Sequence, residues 1–166
     1  RLNNIECSIK IVLLGESGVG KTNLLNTYFG KPFTDDYIAT IGSSFSSKKK
    51  EINGKNYETM MWDTCGQEKF RALNRLYMKK GEIFILVYDV TNSKSFEELN
   101  YWKEQIYDLV GKECIIGIIG NKCDLYLKEE VREEQALKFA EENGFYFRVM
   151  SAKCTNDFDI FVEELI

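Results

Sequence analysis

The sequence predicts a three-layer α/β fold, in which a six-stranded, mostly parallel sheet with one antiparallel edge strand carries helices on both faces. Three observations support it. Residues 83–88 (Ile-Phe-Ile-Leu-Val-Tyr) and 114–119 (Cys-Ile-Ile-Gly-Ile-Ile) are continuous apolar runs, as in strands covered on both faces. Segments with helical periodicity alternate with strand-like runs along the chain. Polar motifs fall in the turns that follow strands, where open α/β sheets bind their ligands.

The elements follow in order. Residues 9–14 (Ile-Lys-Ile-Val-Leu-Leu) form the first strand and run into Gly15-Glu16-Ser17-Gly18-Val19-Gly20-Lys21-Thr22. A helix is expected over 22–29, with Leu24, Leu25 and Tyr28 on one face and Gly30-Lys31-Pro32 ending it. A polar segment occupies 31–44. Strands at 45–52 and 57–63 flank Asn53-Gly54, the dipeptide that most readily makes a tight hairpin. Within the first of these, Lys48-Lys49-Lys50 reads as a solvated face. Between the two apolar strands, Phe96, Leu99, Trp102, Ile106 and Leu109 recur at three- and four-residue spacing. Leu137, Phe139 and Ala140, then Phe158, Phe161, Val162 and Leu165, mark two more helices, with a short strand at 146–150 between them. No internal repeat or linker interrupts the pattern, so residues 1–166 are expected to be one domain. Arg1 is not a methionine and Ile166 falls inside a helical pattern, so both ends look trimmed.

Composition narrows the function. Hydrophobic residues at 44% and charged residues at 29% describe a globular domain, and no apolar stretch approaches the ~18 residues of a membrane span. A net charge of −4 provides no basic field for a nucleic-acid backbone. The five cysteines include no Cys-x-x-Cys pair, and histidine is absent, which suits free thiols in a reducing, cytoplasmic compartment.

The chemistry is concentrated in the turns. Gly-x-x-x-x-Gly-Lys-Thr after a strand is a phosphate loop: glycines let backbone N–H groups converge on phosphate oxygens, Lys21 adds a point charge, and the Thr22 hydroxyl can hold Mg²⁺. This chain is therefore expected to bind a nucleoside triphosphate. In Asp63-Thr64-Cys65-Gly66-Gln67, at the end of the strand through 59–62, Asp63 can reach the same metal. There Gly66 can bring its N–H to a terminal phosphate and Gln67 can orient an attacking water. Asn121-Lys122-Cys123-Asp124 follows the second apolar strand. A carboxylate there accepts hydrogen bonds only, so Asp124 suits the N1–H and amine of guanine, whereas adenine offers an acceptor at N1. Asn121 can tie this loop to the phosphate loop, and the stem of Lys122 can lie across the base. Ser151-Ala152-Lys153 offers an N–H at Ala152 to the guanine oxygen.

These four elements, in this order and each at a strand end, resemble the Ras-like small GTPases over the whole chain. Residues 62–70 (Trp-Asp-Thr-Cys-Gly-Gln-Glu-Lys-Phe), 86–91 (Leu-Val-Tyr-Asp-Val-Thr) and the Asn-Lys-Cys-Asp loop look most like the Rab branch. The fold this implies is the three-layer sandwich of phosphate-loop NTPases. The resemblance makes Thr40 a second threonine ligand of Mg²⁺ and packs Phe33 edge-on against guanine. The implied nucleotide-binding set is Gly15, Ser17, Gly18, Val19, Gly20, Lys21, Thr22, Asn23, Phe33, Thr40, Gly66, Asn121, Lys122, Asp124, Ser151, Ala152 and Lys153. Thr22, Thr40 and Asp63 are the implied metal ligands, Gln67 and Lys21 the catalytic residues, and Phe45, Trp62 and Tyr77 the surface shown to effectors. The sequence departs from the Rab pattern in places. Cys65 stands in place of an alanine, Ser43-Ser44 in place of a small apolar residue and an acid, and a glycine is displaced to Gly81.

The function implied is a GDP/GTP switch in vesicle trafficking, with slow hydrolysis because no arginine is evident in cis to complete the site. An exchange factor, a GTPase-activating protein, a GDP-dissociation inhibitor and effectors are the implied partners. Membrane attachment would come only from a prenylated C-terminal tail on the cytosolic face of an endomembrane. Two alternatives differ in class. A small-molecule kinase would share the phosphate loop but not need Asn-Lys-x-Asp, and a GTP-holding scaffold would bind without turnover.

Overall fold

The computed structural model describes residues 7–31, 43–64, 71–154 and 156–166. In chain order these form β1 (Cys7–Leu14), α1 (Lys21–Tyr28), β2 (Ser43–Ile52), β3 (Lys55–Thr64), α2 (Arg71–Met78), β4 (Ile83–Asp89), α3 (Ser93–Glu97) and α4 (Leu99–Val110). Then come β5 (Ile115–Asn121), a 3₁₀ turn (Cys123–Lys128), α5 (Glu133–Asn143), β6 (Tyr146–Val149) and α6 (Asp157–Leu165). The six strands lie in the order β2-β3-β1-β4-β5-β6. All neighbours are parallel except β2 and β3, which pair antiparallel and leave β2 as an edge. The fold class predicted from the sequence is the one observed.

The hairpin forms where its turn chemistry requires. Asn53 and Gly54 both have positive φ, 50° and 78°, the combination a tight two-residue turn needs to match the twist of its strands. That turn sets the register in which Phe45 faces Trp62.

Alternation along the central strands builds two cores. Ile11 and Leu13 of β1 and Ile83, Ile85 and Val87 of β4 pack against α1 and α6 through Leu24, Phe158, Phe161 and Leu165. Val12, Leu14, Phe84, Leu86 and Tyr88 face Trp102, Ile106, Ala136 and Ala140 on α4 and α5. Every residue of β4 is buried, which is why its sequence shows no polar alternation. Each large side chain so enclosed contributes about 1.5–3 kcal/mol.

Several details refine or correct the sequence reading. The helical run through Phe96 and Leu109 comprises α3 and α4 with only Glu98 between them, itself right-handed helical, and the Asn92 side chain caps its first turn by accepting from the Ser95 N–H at 3.3 Å. Leu137 is exposed, and α5 buries the smaller Ala136 and Ala140 instead. Ser43 and Ser44 belong to β2 and not to the preceding polar segment.

The three lysines of β2 do not form a solvated face, since successive strand residues point to opposite sides. Lys49 is exposed, but Lys48 donates to the Tyr28 carbonyl at 2.9 Å. The Lys50 ammonium bridges Asp159 at 2.5 Å and Glu163 at 2.7 Å on α6.

Candidate nucleotide and metal site

The phosphate loop occupies the turn between β1 and α1. A Cβ on Gly15 would lie 2.3 Å from the Val87 carbonyl oxygen of β4, so only glycine lets the loop leave the sheet this closely. Gly20 has φ 98°, and a Cβ there would meet the Asn121 side-chain nitrogen at 2.3 Å. The cradle is thus shaped by positions at which a side chain would collide. Buried Lys21 opens α1 and turns its ammonium back over the loop, donating to the carbonyls of Gly15 and Glu16 at 2.9 Å each. Ser17 is exposed at the loop's turn and Asn23 lies half-buried in the first turn of α1.

The next residue meets a second strand. The Thr22 hydroxyl donates to the Asp63 carboxylate at 2.6 Å. Asp63 is 1% exposed near the end of β3, in register with Leu13. The Thr64 hydroxyl secures that strand end by donating to the Leu13 carbonyl at 2.6 Å. A hydroxyl and a carboxylate at one point are the hard oxygen donors Mg²⁺ prefers. The glycine-shaped cradle, the inward-turned lysine and this oxygen pair fit a magnesium-bound nucleoside phosphate.

The third component arrives from β5 and β6. Asn121, 1% exposed, donates its side-chain N–H to the Val19 carbonyl at 2.8 Å, joining the loop after β5 to the phosphate loop. Lys122 takes up φ 65° and extends over the same loop, its ammonium 2.8 Å from the Gly18 carbonyl and 2.8 Å from an Asp89 carboxylate oxygen. Cys123 donates its backbone N–H to the Met150 carbonyl at 3.2 Å, and Met150 donates to that of Gly120 at 2.8 Å, so the loops after β5 and β6 are laced together. Ser151 and Ala152 are buried, and the Lys153 N–H rests on the Ser151 hydroxyl at 3.2 Å. The Lys153 ammonium lies 3.2 Å from the Asp124 carboxylate. Burial alone would raise the Asp124 carboxyl, but hydrogen bonds from Ser151 and Lys153 and the Lys153 charge outweigh it and hold the group below the ordinary carboxylate range. Asp124 is therefore a pure acceptor at neutral pH.

Asp89 was not singled out as a site residue from the sequence. It ends β4, accepts from the Thr91 N–H at 2.8 Å and the Thr91 hydroxyl at 2.7 Å, and braces Lys122. The visible signal was an aspartate at a strand end with a threonine two residues on, a pattern that makes a local turn. Phe33, Thr40, Cys65, Gly66 and Gln67 lie outside the described residues.

The three aromatic residues expected to face effectors do meet. Ring centroids of Phe45 and Trp62 are 5.0 Å apart, and those of Trp62 and Tyr77 5.1 Å. Phe45 is half exposed, and the Lys10 ammonium lies 5.0 Å from the Trp62 ring centroid.

Comparison with known proteins agrees with this geometry. A family model described as the Ras family matches residues 10–166. The chain is 39% identical over 150 residues to Ras-related protein Rab-13 of Canis lupus familiaris, covering 90% of this chain and 74% of that protein. It is 41% identical over 146 residues to Ras-related protein Rab-21 of Mus musculus, covering 88% of this chain and 66% of that one. The chain belongs to the Ras family as a divergent, Rab-like small GTPase that binds GTP and GDP with Mg²⁺ and hydrolyses the triphosphate.

Proposed function

We propose that this chain is a switch in vesicle trafficking whose slow intrinsic hydrolysis awaits an activating protein, and that its site residues divide the work as follows. The Gly15–Gly20 loop and Lys21 hold phosphate oxygens. Thr22 and Asp63 hold Mg²⁺, with Thr40 joining them when GTP is bound, and the metal supplies charge neutralisation at the phosphates. Gln67 orients the attacking water, and Lys21 stabilises the charge that develops on the phosphate oxygens. Asp124 accepts from guanine N1–H and the exocyclic amine, the Ala152 N–H meets the guanine oxygen, and Phe33 packs on its edge. Asn121, Lys122, Ser151 and Lys153 brace these contacts. Contacts from Thr40 and Gly66 to the terminal phosphate would order residues 31–44 and 64–80, and their loss would release those segments.

The observation that carries this reading is the convergence of the loops after β1, β3, β5 and β6, with Asn121 and Lys122 bonded to the phosphate loop. No arginine stands at the loop position that would complete the site in cis, so an activating protein would supply that charge. The aromatic surface of Phe45, Trp62 and Tyr77 would meet effectors, and an exchange factor and a GDP-dissociation inhibitor would govern the cycle. A prenylated tail beyond α6 would place the domain on an endomembrane.

Cys65, next to Gly66, gives weight to a second reading, a GTP-holding scaffold with negligible turnover. The test is a single turnover of GTP-loaded protein with Mg²⁺, following phosphate release beside Gln67→Leu and Cys65→Ala variants. Slow release that disappears in Gln67→Leu supports the hydrolytic switch. Release only after Cys65→Ala would overturn it in favour of the scaffold.

A further inference from the structure

The last residue of β4 carries a charge that a buried strand does not need for packing. Asp89 is 7% exposed and lies in register with Asn121 of β5, whose carbonyl accepts the Val90 N–H at 3.1 Å. One of its carboxylate oxygens accepts both bonds from Thr91, while the Ser95 hydroxyl accepts its backbone N–H at 2.9 Å. The carboxylate is thereby fixed in direction by its own turn. Its second oxygen faces the Lys122 ammonium at 2.8 Å.

That ammonium is shared. It also donates to the Gly18 carbonyl of the phosphate loop at 2.8 Å, and its stem passes over Gly20, where a Cβ would lie 4.0 Å from the Lys122 Cε. A lysine stem is flexible and its head strongly hydrated, so one carbonyl bond in partly solvated surroundings leaves the ammonium free to exchange that partner for water. A carboxylate whose side chain is 10% exposed, and which Thr91 already holds, adds a charge-assisted bond that solvent screens poorly. Two fixed acceptors leave the ammonium one place to sit and the stem one path to it.

We propose that Asp89 is a positioning residue for the guanine nucleotide: by holding the Lys122 ammonium against the Gly18 carbonyl, it keeps the Lys122 stem along the base and sets how long the nucleotide stays bound. This rests on the reading of Lys122 as the residue whose stem lies across the base. Charge counting alone gives the opposite sign. Removing Asp89 takes a negative charge away from the neighbourhood of a phosphate site, and long-range electrostatics would then hold the nucleotide more tightly. Loss of positioning makes the nucleotide leave faster.

The test is release of a fluorescent GDP in the presence of Mg²⁺, followed by stopped flow in the unaltered chain and in Asp89→Ala, Asp89→Asn, Lys122→Met, Lys122→Ala, Ser95→Ala and the Asp89→Ala, Lys122→Met double variant. Asp89→Ala and Asp89→Asn should each speed release about tenfold. Asp89→Asn keeps an oxygen for Thr91, so it answers the question even where Asp89→Ala does not fold. Lys122→Met, which keeps the stem and loses the ammonium, should release at a similar rate, and the double variant should match it within about twofold. Ser95→Ala loosens the same turn without touching the carboxylate and should stay within about twofold of the unaltered chain. Unchanged or slower release from the Asp89 variants, accelerations that multiply in the double variant, or an equal acceleration from Ser95→Ala would each overturn the inference. Release unchanged in Lys122→Ala would overturn the placement of Lys122 at the base, and this inference with it, whereas faster release from Lys122→Ala with none from the Asp89 variants would sink the inference alone.

Discussion

Asp124 shows how one side chain combines base choice with resistance to acid. Its hydrogen bonds from Ser151 and Lys153 outweigh the cost of burial, so its carboxyl loses its proton more readily than an isolated aspartate. Because the folded value lies below the ordinary 3.8, the stabilisation is fully present above 3.8 and is lost only as pH falls further through the folded value. GDP affinity should accordingly stay flat from neutral pH down to about pH 5 as far as this group is concerned. Asp124→Asn places an amide where guanine presents only donors. It should cost about 3 kcal/mol and speed release of a fluorescent GDP about a hundredfold, measured by stopped flow. Release unchanged by this substitution would remove Asp124 from base recognition.

The hairpin and the last helix show how elements far apart in sequence stabilise each other. Lys50 reaches from β2 across Tyr28 to Asp159 and Glu163 of α6, with its side chain 8% exposed. Burial alone would lower its ammonium, but the two carboxylates outweigh that and raise it above its usual 10.5. A raised value in the folded state means that this contribution is complete below pH 10.5 and fades only as pH rises through the folded value. Since the two acids remain partly solvated, Lys50→Ala should cost about 1–2 kcal/mol, below the full penalty for breaking a buried pair. Lys49→Ala, on the exposed side, should stay within about 0.5 kcal/mol. Urea midpoints of the two variants check the contrast, and equal costs would mean that the α6 contacts contribute nothing. Strand alternation explains why the lysine triplet divides between two faces. The sequence could not say which lysines turn inward, because that depends on the register β2 adopts against β3.

The site belongs to the whole molecule, since β1, β3, β5 and β6 each bring one loop to it and no pair of loops completes it. A ligand that bridges them stabilises the fold by mass action. GDP with Mg²⁺ at a thousand times its dissociation constant should add about 4 kcal/mol, and excess chelator should reverse much of that gain. For a domain of this size the thermal midpoint should rise roughly 8–16 °C, read by calorimetry beside ATP with Mg²⁺, which should leave it unmoved. An equal shift with ATP would overturn the guanine assignment. The layered fold, the Asn53-Gly54 hairpin and the motifs at Gly15–Thr22, Asp63, Asn121–Asp124 and Ser151–Lys153 were legible in the sequence alone. Periodicity, positive-φ turn residues and the chemistry of a strand end are local properties of the chain. The brace from Asp89 to Lys122, the inward turn of Lys48 and Lys50 and the exposure of Leu137 were decided only by tertiary structure. Each depends on strand register or on helix rotation, and hydrophobic spacing along one segment carries no information about the side chain that will face it from another.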